Sequence, residues 1–171
     1  MKKVGWIGQL FLIATLLLTG CGNGSSAQGT SQLAEPPQPV IEWSGKTAVT
    51  VPASSCWSYN NESICKDMAA PPELVAEHKP APLQVRPGAT MTITFAQQPT
   101  TNTLKVTQWN GMKEVEQVIE NGNQWKAPEQ PGWYLFDVRG QWAQGDAGHA
   151  FVIEVKDSIG SAYQTVMAKQ P

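Results

Sequence analysis

Few side chains in this sequence could carry chemistry, and their spacing limits what that chemistry would be. Cys56 and Cys65 lie close together in "CWSYNNESIC", with eight residues between them. That spacing suits a disulfide closing a hairpin or loop, which by loop-closure entropy would contribute about 2–3 kcal/mol. A metal pair and a redox pair are the alternatives. The arrangement is not C-x-x-C, however, and only His78 and His149 exist to complete a metal site. His149 falls in phase with Phe151 and Ile153 and reads as a core or rim histidine. His78 sits in a polar segment flanked by proline and reads as solvated. There is no Gly-x-Ser-x-Gly, no His-Glu-x-x-His and no phosphate-cradling glycine loop. The carboxylates are scattered. The sequence therefore selects no catalytic residue, metal or cofactor, and the expectation is a protein without enzymatic activity.

Tryptophan is the other distinctive group. Trp43, Trp57, Trp109, Trp125, Trp133 and Trp142 all lie beyond the first forty residues. Trp142 shares a face with Tyr134 and is expected in the core. Trp57 and Tyr59 sit inside the cysteine loop, and Trp109 stands off the core face of its segment. These three are the candidate ligand-binding residues, since exposed aromatics on a rigid scaffold can stack on sugar rings or anchor a protein partner.

The elements that must position these residues alternate with period two. Leu83 and Val85 share a face before a Pro87-Gly88 turn. In "TMTITF", Met91, Ile93 and Phe95 face in while the threonines face out. Leu104 and Val106 continue the core face. The run 113–125 also fits a helical face, but Asn121-Gly122 is a two-residue hairpin signal and favours strand. Tyr134, Phe136, Val138, Gly140 and Trp142 lie on one face of a long strand, with Trp133, Leu135, Asp137, Arg139 and Gln141 opposite. His149, Phe151, Ile153 and Val155 share one face of the last strand. Seven candidate strands from about Leu83 to Lys156 make an all-β domain spanning 81–157.

That spacing resembles an immunoglobulin-like antiparallel β-sandwich. Tyr134, just after "QPG" at the start of a long strand, resembles the tyrosine corner of such folds. The Cys-Trp-Cys pattern of antibody domains is absent. Residues 39–80 are expected to form a strand, a disulfide-closed hairpin and one helical turn packed on the sandwich. About forty residues bury little alone, so they should not form a separate domain. Trp133, Leu135, Ala150 and Val152 offer an apolar platform for them. Residues 158–171 read as a tail or an edge strand.

The N-terminus reads as an address. Lys2 and Lys3 precede an apolar run, strongest over "LFLIATLLL", that ends in Leu18-Thr19-Gly20-Cys21. The run suits a signal sequence and is short for a membrane span. "LTGC" resembles the lipobox of bacterial lipoproteins. The resemblance implies a signal peptide over 1–20, a diacylglyceryl anchor on Cys21, and residence on the extracytoplasmic face of a cell membrane. Two acyl chains suffice for stable anchoring. Residues 21–38 are rich in Gly, Ser, Gln and Pro and read as a disordered tether.

Removing Lys2 and Lys3 takes the formal charge from -2 to -4. No basic patch is present, which argues against nucleic acid as a partner. The expected function is a non-catalytic, lipid-anchored binding or interaction protein. Glycan or cell-wall recognition through the exposed aromatics is one alternative. A protease-inhibitor-like domain presenting a loop is the other.

Overall fold

A computed structural model describes residues 33–157. The leader, Cys21 and residues 158–171 lie outside the described residues. In chain order the elements are β1 (Pro39–Trp43), β2 (Lys46–Thr47), β3 (Thr50–Tyr59), β4 (Glu62–Lys66), α1 (Pro71–His78), β5 (Leu83–Val85) and β6 (Thr90–Phe95). They continue with β7 (Lys105–Asn110), β8 (Lys113–Glu116), β9 (Gln124–Lys126), β10 (Gly132–Trp142) and β11 (Gly145–Val155). Two sheets pack face to face as an immunoglobulin-like antiparallel β-sandwich. One sheet runs β2-β1-β6-β9. The other runs β4-β3-β11-β10-β7-β8, with the short β5 pairing parallel to the end of β11.

Turn chemistry sets the connections. Ser44-Gly45, Asn60-Asn61 and Asn121-Gly122 each place two successive residues at positive φ, the conformation that tight hairpins require. The Asn121-Gly122 turn forms as expected. The residues before it contribute only a Glu120↔Gln124 bridge, because β8 folds back on β7 instead.

The core follows the period-two faces. Ile41 lies opposite Ile93, and Met91 opposite Trp125. From the facing sheet, Phe136 and Phe151 pair across β10–β11 and stack at 5.6 Å. The Trp125 indole meets both of them edge-on, at 6.0 and 5.9 Å. Such aromatic pairs add about 0.5–1.5 kcal/mol beyond the area they bury. Trp142 lies in the core as expected and donates its Nε1–H to the Gln97 carbonyl at 2.9 Å.

Residues 39–80 attach by strand pairing. β1 is built into the first sheet beside β6, and β3 extends the second sheet beyond β11. The disulfide-closed hairpin is β3–β4, with Cys56 directly opposite Cys65. α1 starts on Pro71-Pro72 and ends on Lys79 in the left-handed conformation. It packs on β3, β10 and β11, and its buried Leu74 clusters with Val51 and Ala53. The last part of the expected tether is also part of the fold. Leu33 packs against the core, and Pro37 and Pro39 are buried.

The tyrosine corner is present. The Tyr134 hydroxyl donates to the Gln130 carbonyl at 2.9 Å and pins the turn that launches β10. A net side-chain hydrogen bond contributes about 1 kcal/mol. Tyr134→Phe should therefore lower the urea-unfolding free energy by about 1 kcal/mol with no change in the m-value. An unchanged midpoint would show that the corner does not hold the strand.

Candidate functional site

The three candidate ligand-binding residues go to different places. Trp57 is corrected to a core residue. It is only 5 % exposed, meets Trp142 edge-on at 5.7 Å, and donates Nε1–H to the Leu33 carbonyl at 2.9 Å. The physical reason is a bulge in the β3–β11 pairing between Ala147 and His149. Before the bulge, Val51 faces outward opposite Ala150. After it, Cys56 faces outward opposite Asp146, so Trp57 turns inward. Tyr59 remains 38 % exposed at the hairpin end and lines a cleft of about 150 Å³ with Trp57, Glu35 and Ile64. Trp109 lies on the outer face of β7, between Leu135 and Glu114 in register. It is half-buried, and its Nε1 is buried with no hydrogen-bond partner. β11 and β10 separate β3 from β7, so the hairpin aromatics and Trp109 do not form one surface.

His149 is 5 % exposed, opposite Val138 and Pro52 on the core side, beside a cleft that Glu35, Pro36 and Gln38 also line. Burial lowers its imidazole to about 4, and the Arg139 charge acts in the same direction. Asp137, on the outer face of β10, is 9 % exposed and its Oδ1 has no hydrogen-bond partner. Burial raises its carboxyl to about 6; Arg139 opposes the shift and Glu114 adds to it. Arg139 donates to Asp146 Oδ1 at 2.7 Å. Asp137 and Arg139 both lean over Gly148, where a Cβ would come within 3.2 Å of Asp137 Oδ1 and 2.8 Å of Arg139 Nη2. Asp137 and His149 thus project from opposite faces of one sheet. They do not form an acid–base pair.

The site that sequence reasoning missed is on the same outer face, toward the other end of β10. Trp133 was expected to lie beneath residues 40–80 as part of the platform. Instead it is 65 % exposed, because Leu74 of α1 seats on Val51 and Ala53 rather than on the indole. The platform is covered in part: Ala150 and Val152 are buried. Between Trp133 and the segment Lys79–Pro82 runs an open groove of about 500 Å³. Its floor is the cross-strand pair Leu135↔Val152, and Val75 of α1 lines it as well. The signal in the sequence was the "KPAP" stretch, whose prolines cannot continue the helix, so the chain leaves α1 at Lys79 and forms the groove wall. Among the described residues no cluster of His, Cys, Asp or Glu could hold a metal ion, and no helix is long and apolar enough to cross a membrane. No protein-family model, curated protein or solved structure matches this chain.

The two shifted groups generate opposed pH dependences. Asp137, raised from 3.8 to about 6, contributes stability that is complete below pH 3.8 and lost as pH rises through about 6. His149, lowered from 6.5 to about 4, contributes stability that is complete above pH 6.5 and lost as pH falls through about 4. At about 1.4 kcal/mol per unit the slopes largely cancel in the wild type. Relative to wild type, Asp137→Asn should gain about 3 kcal/mol as pH rises from 4 to 6.5. His149→Gln should lose about 3 kcal/mol over nearly the same window. Urea unfolding of the three proteins at several pH values measures this, and parallel curves would show that neither group is buried as described.

Proposed function

We propose that this protein is a lipid-anchored, extracytoplasmic binding module without catalysis, and that its contact surface is the groove beside Trp133. The observation that carries the reading is the indole itself. A tryptophan left 65 % exposed on β10, in register with Glu154 in the long β10–β11 ladder, is held at a defined place on the surface. Covering it would remove enough apolar area to contribute about 3 kcal/mol to an association. Little conformational entropy opposes this, because the strand is already ordered. The adjoining floor and proline wall extend the apolar surface, as in small-ligand and anchor sites.

The Leu18–Cys21 motif supports the anchor, and the Cys56–Cys65 disulfide supports an oxidising compartment outside the cytoplasm. The separation of Asp137 from His149 supports a role in binding rather than in acid–base chemistry.

Two substitutions test the parts separately. Cys21→Ser should move the full-length protein from the membrane fraction to the soluble fraction. Unchanged retention and processing would reject the anchor. In that soluble background, Trp133→Ala should leave stability within about 0.5 kcal/mol, as for an exposed residue. It should weaken saturable binding to isolated cell envelopes by at least about tenfold. Equal envelope binding with and without the indole would reject the groove.

A further inference from the structure

The surroundings of Trp133 narrow the class of ligand. On the outer face, register places Glu154 directly across from Trp133, and Gln84 of β5 directly across from Glu154. The three side chains form a row over three adjacent strands. Glu154 is fixed within it: Gln84 Nε2 donates to its Oε2 at 3.2 Å, and Lys156 Nζ pairs with the same oxygen at 2.9 Å. The Lys156 and Gln84 ends of the row are open to solvent. The oriented carboxylate is therefore about 5 Å from the exposed indole at the Cβ positions, and the amide that holds it stands one strand further out, roughly 10 Å from Trp133. The groove beside the indole is lined mainly by apolar side chains, with Lys79 at its wall.

We infer that the Trp133 end of the groove is a carbohydrate site, which stacks the C–H face of a pyranose on the indole and hydrogen-bonds its hydroxyls to Glu154, Gln84 and Lys156. This deepens the proposal that the Trp133 groove is the contact surface, and it rests on that reading. A pyranose is amphipathic in the sense the site requires, with an apolar face and a rim of hydroxyls that both donate and accept. Its hydroxyls can replace water at the exposed Gln84 and Lys156 ends of the row and at the part of Glu154, 15 % exposed, that reaches solvent. An apolar peptide anchor would strip that water and return nothing, which is costly for charged groups. The groove adjoining the indole, about 500 Å³, falls in the range of small-ligand sites, while Gln84, Glu154 and Lys156 stand outside its lining. Lys79 in the groove wall and Lys156 on Glu154 offset the carboxylate, so the site carries no strong charge preference and uncharged hexose oligomers are the probes of choice.

The test uses the full-length protein in detergent, titrated with chitotetraose and with cellotetraose and followed by tryptophan fluorescence and calorimetry. At least one probe should bind saturably. Trp133→Ala should weaken that binding by at least about tenfold, Trp133→Tyr by less, and Glu154→Gln by about three- to tenfold. In parallel, envelope binding by the Cys21→Ser protein is measured after glycan hydrolysis and after protease treatment of the envelopes. If neither sugar binds, and Trp133-dependent envelope binding survives glycan hydrolysis but not protease, the carbohydrate inference is overturned while the groove reading stands. If Trp133→Ala changes neither sugar nor envelope binding, the groove reading falls and the inference falls with it. Sugar binding that is insensitive to both Trp133 and Glu154 also overturns the site.

Discussion

The antiparallel pairing of β10 with β11 is the constraint on which the rest of the structure depends. It runs unbroken from Gly132↔Val155 to Trp142↔Gly145. Every residue of both strands is thereby committed to one of two faces. Phe136, Val138, Phe151 and Ile153 go inward to meet Trp125, Ile93 and Met91 from the other sheet. Trp133, Leu135, Asp137 and Arg139 go outward, where α1 and the following prolines find them. A slip of one residue would exchange these sets, placing Asp137 and Arg139 in the core. The Tyr134–Gln130 hydrogen bond, one residue from the Trp133 indole, fixes where the long strand begins and so protects the register.

The disulfide hairpin depends on this spine through β3, but a bulge interrupts that dependence. The extra residue between the Pro52↔His149 and Ser55↔Ala147 pairs reverses the phase of β3. Odd-numbered residues face out before it and in after it. Val51 and Ala53 therefore join Leu74 in the small outer cluster, while Trp57 joins the main core. The same reversal puts both cysteines on the solvent face, where they close the hairpin without occupying core volume. Trp57 then donates its Nε1–H to the Leu33 carbonyl. This joins the chain entering the domain to the hairpin.

Much of this was legible from Leu83 onward, because those strands show their buried face in their own alternation. "TMTITF", the Tyr134 corner and the Asn121-Gly122 turn are examples. The first half was legible only in outline. β1 finds its partner in β6, with Ile41 opposite Ile93, and no local pattern encodes a pairing across fifty residues. The inward turn of Trp57 was hidden for the same reason. A uniform period-two count along β3 assigns it to the face of Val51 and Ala53, and only the partner strand reveals the bulge. Trp133 shows a third kind of limit. Its face was read correctly, but its exposure depends on where Leu74 comes to rest, which is a property of packing between distant segments.

The outer face of the large sheet is consequently divided, and the division explains how one surface can hold both a polar cluster and an open apolar groove. Toward Trp142 lie Arg139, Asp146 and the exposed disulfide, around a small cleft of about 210 Å³. Toward Gly132 lie Leu135, Val152 and the indole. The boundary is the Asp137↔Ala150 pair. A buried carboxylate with an unpartnered oxygen is costly, but at this position it limits how far the apolar strip can extend along β10. Gly148 completes the boundary, since a Cβ there would crowd the Arg139 guanidinium and the Asp137 carboxylate. The apolar strip of Leu135, Val152 and the indole begins where this polar half of the face ends, and the indole stays open because Leu74 seats on Val51 and Ala53 instead.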